Sequence, residues 1–113
     1  MKEIHLNDKE LEMLDVLGKE KMRESAYHFV RTRLALSNPE NDGKQTAKEG
    51  NPIFKAQHAT GTDSRKSLAF SMGIELGRPL KESEIDAAVD KIMEWLTNEK
   101  SMADKKQATL KEF

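Results

Sequence analysis

His58 is the side chain of this sequence best suited to act as a general base. It stands among amide, hydroxyl and carboxyl groups, with Gln57 beside it and Thr60 and Asp63 shortly after it. An imidazole with such neighbours can transfer protons near neutral pH, and the same groups can instead form a hydrogen-bond network that ties a loop to a helix. With this structural alternative kept open, the candidate catalytic residues are His58, Lys44, Asp63 and Arg65.

Metal and covalent chemistry find little support in the sequence. It has no cysteine, which excludes disulfides, a thiolate nucleophile and cysteine-ligated zinc or iron–sulfur sites. Asp63 is the one candidate ligand close to His58 in the sequence. Residues 42–46 place a lysine after a glycine but lack the spacing of a phosphate-binding loop. We therefore predict no metal site and no cofactor.

The formal net charge of −1 hides a strong separation of charge along the chain. Residues 1–18 carry two lysines against five acidic residues, and residues 82–99 carry one lysine against six. The segments 19–33 and 44–66 are the opposite, each with five basic residues against two acidic ones. A partner can be selected by either kind of surface, so neither nucleic acid nor a basic protein is excluded.

Two helical faces are candidate partner-binding surfaces. Arg23, Tyr27 and Arg31 are spaced four apart and share a helix face. These side chains can bind an acidic partner, or they can form a solvent-exposed face with cation–π stacking. Acidic side chains of the last helix can imitate nucleic-acid charge toward a basic partner. These acidic candidates are Glu82, Glu84, Asp86, Asp90 and Glu94. If the partner is nucleic acid, the candidate contacts are Lys44, Lys55, Arg65 and Lys66, together with Arg23 and Arg31.

The hydrophobic periodicity predicts an all-α fold. Asn7 and Glu10 have the spacing of a capping box at the start of the first helix, and Gly18 is expected to end it. An apolar stripe of Leu11, Leu14 and Leu17 is expected to face the core. The four predicted helices comprise residues 8–17, 19–36, 63–73 and 84–98.

The segments between and after these helices are predicted to be irregular. Residues 37–61 contain prolines and glycines and predict a long ordered loop, with Ile53 and Phe54 pinning it to the core. Residues 100–113 predict a flexible tail, which leaves residues 1–99 as a single domain. Trp95 is expected to pack at the edge of the core, and a homodimer through this edge is one possibility.

The sequence contains no run of eighteen apolar residues, so no membrane span is expected. The N-terminal residues lack the apolar stretch of a secretory signal and lead straight into a predicted helix. We therefore expect a cytoplasmic protein.

Ordered motifs occur through the middle and the last part of the chain: Asn41-Asp42-Gly43-Lys44-Gln45-Thr46, Pro52-Ile53-Phe54, Ala56-Gln57-His58-Ala59-Thr60, Thr62, Arg65 and Ile92-Met93-Glu94-Trp95-Leu96. Together, over about residues 20–97, these motifs resemble family 4186 of the bacterial domains of unknown function.

The sequence departs from the pattern of this family at its cysteines and histidines. The family has cysteines where this chain has Asp63, Ser64 and Ser67, and a Trp-His pair where it has Ser71 and Met72. Asn51 and Ala47 likewise stand where the family often has histidine and proline. The resemblance therefore implies a divergent copy of a bacterial module, retained for its shape or surface, without the residues for a metal-dependent activity.

These observations lead to three functional hypotheses. The first is a non-enzymatic helical interaction protein that binds a macromolecule, most simply a protein, as a phage or mobile-element inhibitor of a host nucleic-acid-handling or defence complex would. The second is a nucleic-acid-binding protein that uses the basic middle segment. The third is an enzyme centred on His58.

Overall fold

The computed structural model describes residues 4–35 and 51–111, with side chains up to residue 105. No strand occurs in these residues, and the predicted all-α fold with four helices is confirmed. The four helices are α1 (Asp8–Arg33), α2 (Pro52–Thr60), α3 (Arg65–Met72) and α4 (Glu82–Lys111). Each of the four helices differs from the prediction in at least one of its bounds.

The first two predicted helices lie end to end within α1. The capping box at the start is present, because Glu10 N–H donates to the Asn7 side chain and Asn7 N–H donates to the Glu10 carboxylate. Gly18 interrupts the helix with non-helical backbone angles, and α1 continues from there to Arg33. The predicted stripe holds only in part, because Leu14 packs against the core whereas Leu17 is exposed.

The helix α2 lies inside the segment that was predicted as a loop, so that prediction is wrong for Pro52–Thr60. Proline at the first helical position and glycine just after the last are ordinary helix boundaries, and here they enclose only nine residues. A side chain at Gly61 is excluded by its left-handed backbone and by Ser71, whose Cβ would lie 2.9 Å from an added Cβ. Ile53 is buried, as predicted, and residues 36–50 lie outside the described part of the chain.

The last two helices begin and end at other residues than predicted. Ser64 caps α3 by accepting a hydrogen bond from Ser67 N–H, so this helix begins at Arg65 and not at residue 63. The helix α4 continues to Lys111, so residues 100–111 are helical where a tail was predicted. Lys100, the first residue of this extension, lies 2.7 Å from Asp15 of α1.

The core lies where α4 packs against α1 and α2. Trp95 is partly buried against this core, as expected. None of the described helices combines the length and the apolar composition needed to cross a bilayer. The buried apolar residues of the core include Met22, Ala26, Val30, Leu34, Ile53, Leu68, Ile85, Val89, Ile92 and Leu96.

Candidate functional site

The two faces that were predicted to bind partners face each other in the structure. Their side chains pair as Arg23 with Asp90, Tyr27 with Asp86 and Arg31 with Glu82, and we call these three pairs the charge ladder. Each step of four residues up α1 matches a step of four residues down α4, as expected for antiparallel helices whose facing positions recur every turn. The 3.1 Å Arg23–Asp90 and 2.7 Å Tyr27–Asp86 contacts are well-formed hydrogen bonds.

Electrostatics within the charge ladder favour the paired state. The hydrogen bond with Asp90 raises the pKa of Arg23, and the hydrogen bond donated to Asp86 raises the pKa of the Tyr27 hydroxyl. The Arg31 guanidinium also lies 4.9 Å from the centre of the Tyr27 ring, which is within cation–π distance. The basic and the acidic faces therefore form one surface of mixed charge.

The remaining two acidic candidates have different surroundings. Glu84 accepts two hydrogen bonds from Arg78, at 2.8 and 2.7 Å, and one from Lys81 N–H. These bonds stabilise the carboxylate and lower the pKa of Glu84 to about 2. Glu94 is exposed and makes no hydrogen bond or ion pair within the described part of the chain.

Lys55, a candidate nucleic-acid contact, is turned into the protein. Its Nζ atom lies 2.8 Å from the Glu10 carboxylate and donates a hydrogen bond of the same length to His5 O. The Glu10 side chain is 1% exposed and that of Lys55 is 11% exposed. This cation therefore neutralises a buried acid and does not lie on a surface that a nucleic acid can reach.

Arg65, which two hypotheses used, is a structural residue. It is 2% exposed, and its guanidinium donates to the backbone oxygens of Leu34, Glu75 and Arg78 at 3.2, 3.0 and 2.7 Å. These bonds join the end of α1 to the connection between α3 and α4. Arg65 therefore satisfies carbonyl groups that no helix satisfies. Of the other basic candidates, Lys66 is exposed on α3 and Lys44 lies outside the described residues.

His58 does pair with Asp63, as the general-base hypothesis requires. Its Nδ1 atom lies 3.2 Å from Asp63 Oδ2, and both side chains are partly buried. The groups around this pair bond to one another: Gln57 Nε2 donates to Thr62 O, and the Thr60 and Thr62 hydroxyls lie 2.9 Å apart. This is the geometry of the network alternative, in which these groups tie the end of α2 to the start of α3.

The candidate catalytic residues are only partly brought together. Asp63 joins His58, whereas the Arg65 guanidinium is engaged with the end of α1 and the α3–α4 connection. Lys44 lies outside the described residues. Within residues 4–35 and 51–111, no three His, Asp or Glu side chains are arranged to hold a metal ion.

Polar contacts that hold the N-terminal segment were not predicted from the sequence. Glu99 is buried and accepts a 2.8 Å hydrogen bond from Leu6 N–H, and its carboxylate lies 3.1 to 3.2 Å from His5 Nδ1. Lys55 holds the same segment through His5 O. Since 93 residues separate Glu99 from Leu6, helix periodicity carries no signal for this contact.

Exposed apolar side chains were also missed. Met13, Val16 and Leu17 line a groove of about 570 Å³ on the first half of α1, with the charged Lys9 and Glu12 beside them. We call this surface the arm groove. Val16 is 75% exposed there. Phe70 on α3 is 96% exposed, and Leu76 is exposed after the end of that helix.

The family model described as "Domain of unknown function (DUF4186)" matches residues 1–97 of this chain. The chain therefore belongs to this family, and the match begins earlier in the sequence than the motifs that suggested it. The absence of cysteine is consistent with a member that lacks the cysteines expected for the family. The comparison with solved structures found no match for this chain.

Proposed function

We propose that this protein is a non-enzymatic helical interaction protein that binds a protein partner through the arm groove. The observation that carries the proposal is the exposure of Val16 beside Met13 and Leu17 in one groove. Apolar side chains that are grouped on a surface with polar groups around them are typical of protein-binding sites. The adjacent Lys9 and Glu12 would supply polar contacts at the rim of such an interface.

The charge ladder makes binding by charge mimicry less favourable than binding at the arm groove. A basic partner that binds the acidic face of α4 must displace Arg23 from Asp90 and Arg31 from Glu82. It must also compete with the hydrogen bond of Tyr27 to Asp86. An apolar contact at the arm groove requires no such exchange, and burial of apolar area contributes about 25 cal/mol per Å².

The biological role within this proposal is inhibition of a host complex. A small protein encoded by a phage or mobile element would bind a cytoplasmic nucleic-acid-handling or defence complex and block one of its surfaces. This narrower version rests on analogy with other small proteins and stays a prediction.

Nucleic-acid binding by the basic middle segment is the alternative. Two of its proposed contacts, Lys55 and Arg65, hold the interior of the protein together. Arg23 and Arg31 reach solvent but pair with acidic side chains. A nucleic acid would therefore have to bind a surface on which positive charge is already compensated, and its binding would fall steeply with added salt.

Affinity capture with two matched variants tests the proposal. The full chain is used as bait in a nuclease-treated bacterial lysate, and captured proteins are identified by mass spectrometry. We expect Val16→Asp to abolish capture of a defined partner, because it places a charge in the arm groove. Leu76→Asp puts the same charge at another exposed apolar position and should leave capture intact.

Two results would contradict the proposal. Capture that is equal for Val16→Asp and the unmodified chain would show that the arm groove does not bind the partner. Capture that occurs in a parallel untreated lysate and disappears on nuclease treatment would instead favour the nucleic-acid alternative.

A further inference from the structure

Residues 4–17, which we call the arm, are attached to the rest of the protein in an unusual way. Glu10 is the one buried residue of the arm, and its apolar residues Leu6 and Leu14 are only partly buried. The buried apolar core instead begins at Met22. Apolar burial therefore contributes less to holding the arm than to holding the part of α1 from Met22 onward.

Polar contacts from α2 and α4 hold the arm in place. Lys55 pairs with Glu10, Glu99 binds the backbone of Leu6, and Lys100 lies 2.7 Å from Asp15. Burial of the Lys55–Glu10 pair carries a desolvation cost that offsets much of its attraction, and release of the arm returns both charges to water. The more exposed contact of Lys100 with Asp15 contributes little to stability. The arm is thus fastened by groups that are also well solvated when it is released.

The packing between the arm and the body of the protein is incomplete. A cavity of about 230 Å³ opens where Leu14 and Asp15 of the arm approach Met22, Met93 and Leu96. These three residues are almost fully buried core side chains. The arm therefore stands over an apolar part of the core without filling the space above it.

Gly18 has the geometry of a hinge at the end of the arm. Its backbone angles, φ 81° and ψ 164°, belong to a region that only glycine adopts readily. An added Cβ would meet no atom within 4 Å, so only the backbone conformation requires glycine here. The charge ladder also stops at this point, because its next rung, Lys19 with Glu94, forms no ion pair within the part of the chain that the structure describes.

We propose that the arm opens as a unit about Gly18, and that its opening uncovers the apolar surface of Met22, Met93 and Leu96. Local opening of this kind is expected where few apolar contacts are buried and a flexible joint is present. The arm carries the arm groove with it. If the proposed function holds, a partner bound there would therefore also control how far this apolar surface is exposed.

Thiol labelling of the purified full chain tests the opening without any partner. Because the protein has no cysteine, a single introduced thiol reports on one place. Met93→Cys lies under the arm, and Val89→Cys lies in the core away from it. We expect an aromatic disulfide reagent to modify the thiol of Met93→Cys at least tenfold faster than that of Val89→Cys, with a weaker dependence on urea.

The hinge variant separates local opening from a thiol that is simply accessible. Adding Gly18→Ala disfavours the closed backbone and should raise the labelling rate of Met93→Cys at least fivefold, while Val89→Cys changes less than twofold. Equal rates and equal urea dependence for the two thiols would show that only global unfolding exposes them. A Met93→Cys rate that Gly18→Ala leaves unchanged would show that no hinge operates. Either result overturns this inference, whatever the outcome of partner capture.

Discussion

The Nζ atom of Lys55 lies 2.8 Å from Oε1 of Glu10, and both side chains are almost completely shielded from solvent. The pair joins α2 to the first turn of α1, where Glu10 also receives the hydrogen bond of the capping box. A buried ion pair is most sensitive to the loss of one partner, because the other charge then stays buried without compensation.

Lys55→Met is accordingly expected to lower the free energy of unfolding by about 3–5 kcal/mol. The double variant Lys55→Met/Glu10→Gln should be more stable than Lys55→Met alone, because it removes the uncompensated charge. Urea unfolding at neutral pH, monitored by circular dichroism, measures the free energy of unfolding of the single and the double variant. A Lys55→Met protein within about 1 kcal/mol of the unmodified chain would contradict this account of the pair.

The charge ladder should determine which faces of α1 and α4 pair, while contributing little to the free energy of unfolding. Arg23→Asp and Asp90→Arg each place like charges opposite one another, and we expect each to cost up to about 1 kcal/mol. The double variant restores an ion pair and should recover most of this loss. A double-mutant cycle of urea unfolding at low salt measures the coupling, and a coupling energy of zero would mean that the side chains do not interact in solution.

Acid should weaken the protein through Glu84. Because the pKa of Glu84 is lowered from 4.5 to about 2 in the folded state, its carboxylate stabilises the fold above about pH 4.5. This stabilisation is lost as the pH falls from 4.5 toward 2, and it amounts to about 1–3 kcal/mol.

The test compares Glu84→Gln with the unmodified chain by urea unfolding between pH 7 and pH 2.5. The variant should be less stable at pH 7 and should approach the unmodified chain at the acid end. Glu94→Gln is the matched control, because Glu94 is exposed and makes no hydrogen bond or ion pair within the described residues. If the two variants show the same pH dependence, Glu84 does not form its bonds with Arg78.

The stability of the fold should depend on the planar shape of the Arg65 guanidinium as well as on its positive charge. A lysine ammonium cannot reach three carbonyl groups that lie in a plane around the guanidinium, so Arg65→Lys should cost about 2–4 kcal/mol. Lys66→Arg, at the neighbouring exposed position, should change stability by less than about 0.5 kcal/mol. Thermal unfolding of both variants measures the difference, and equal effects would rule out the structural role of Arg65.

The local parts of this fold could be predicted because their signals lie close together in the sequence. The capping box of Asn7 and Glu10 spans three residues, and the apolar stripe of α4 repeats over several turns. Gly18 was correctly recognised as a break. The helix α2 was missed because it has only nine residues, with a proline at its start and a glycine after its end. Prolines and glycines at such short spacing are also typical of loops.

The residues of the candidate site could be predicted from the sequence, but their positions relative to one another could not. The sequence identified the basic face of α1 and the acidic face of α4. It could not indicate that these two faces pair with each other, because the paired residues are 51 to 67 positions apart in the chain. It likewise assigned Lys55 and Arg65 to a surface, since a lysine or arginine is exposed unless a distant partner compensates its charge.

The sequence by itself determined the all-α class, the starts of the first and last helices to within two residues, and the helix break at Gly18. These features depend on backbone preferences and on periodicity within one or two turns. Only the tertiary structure decided which charges are neutralised, that Glu99 and Lys100 of the last helix contact the arm, and that Val16 is left exposed. Those outcomes depend on contacts between residues far apart in the chain, and such contacts form only when the helices pack.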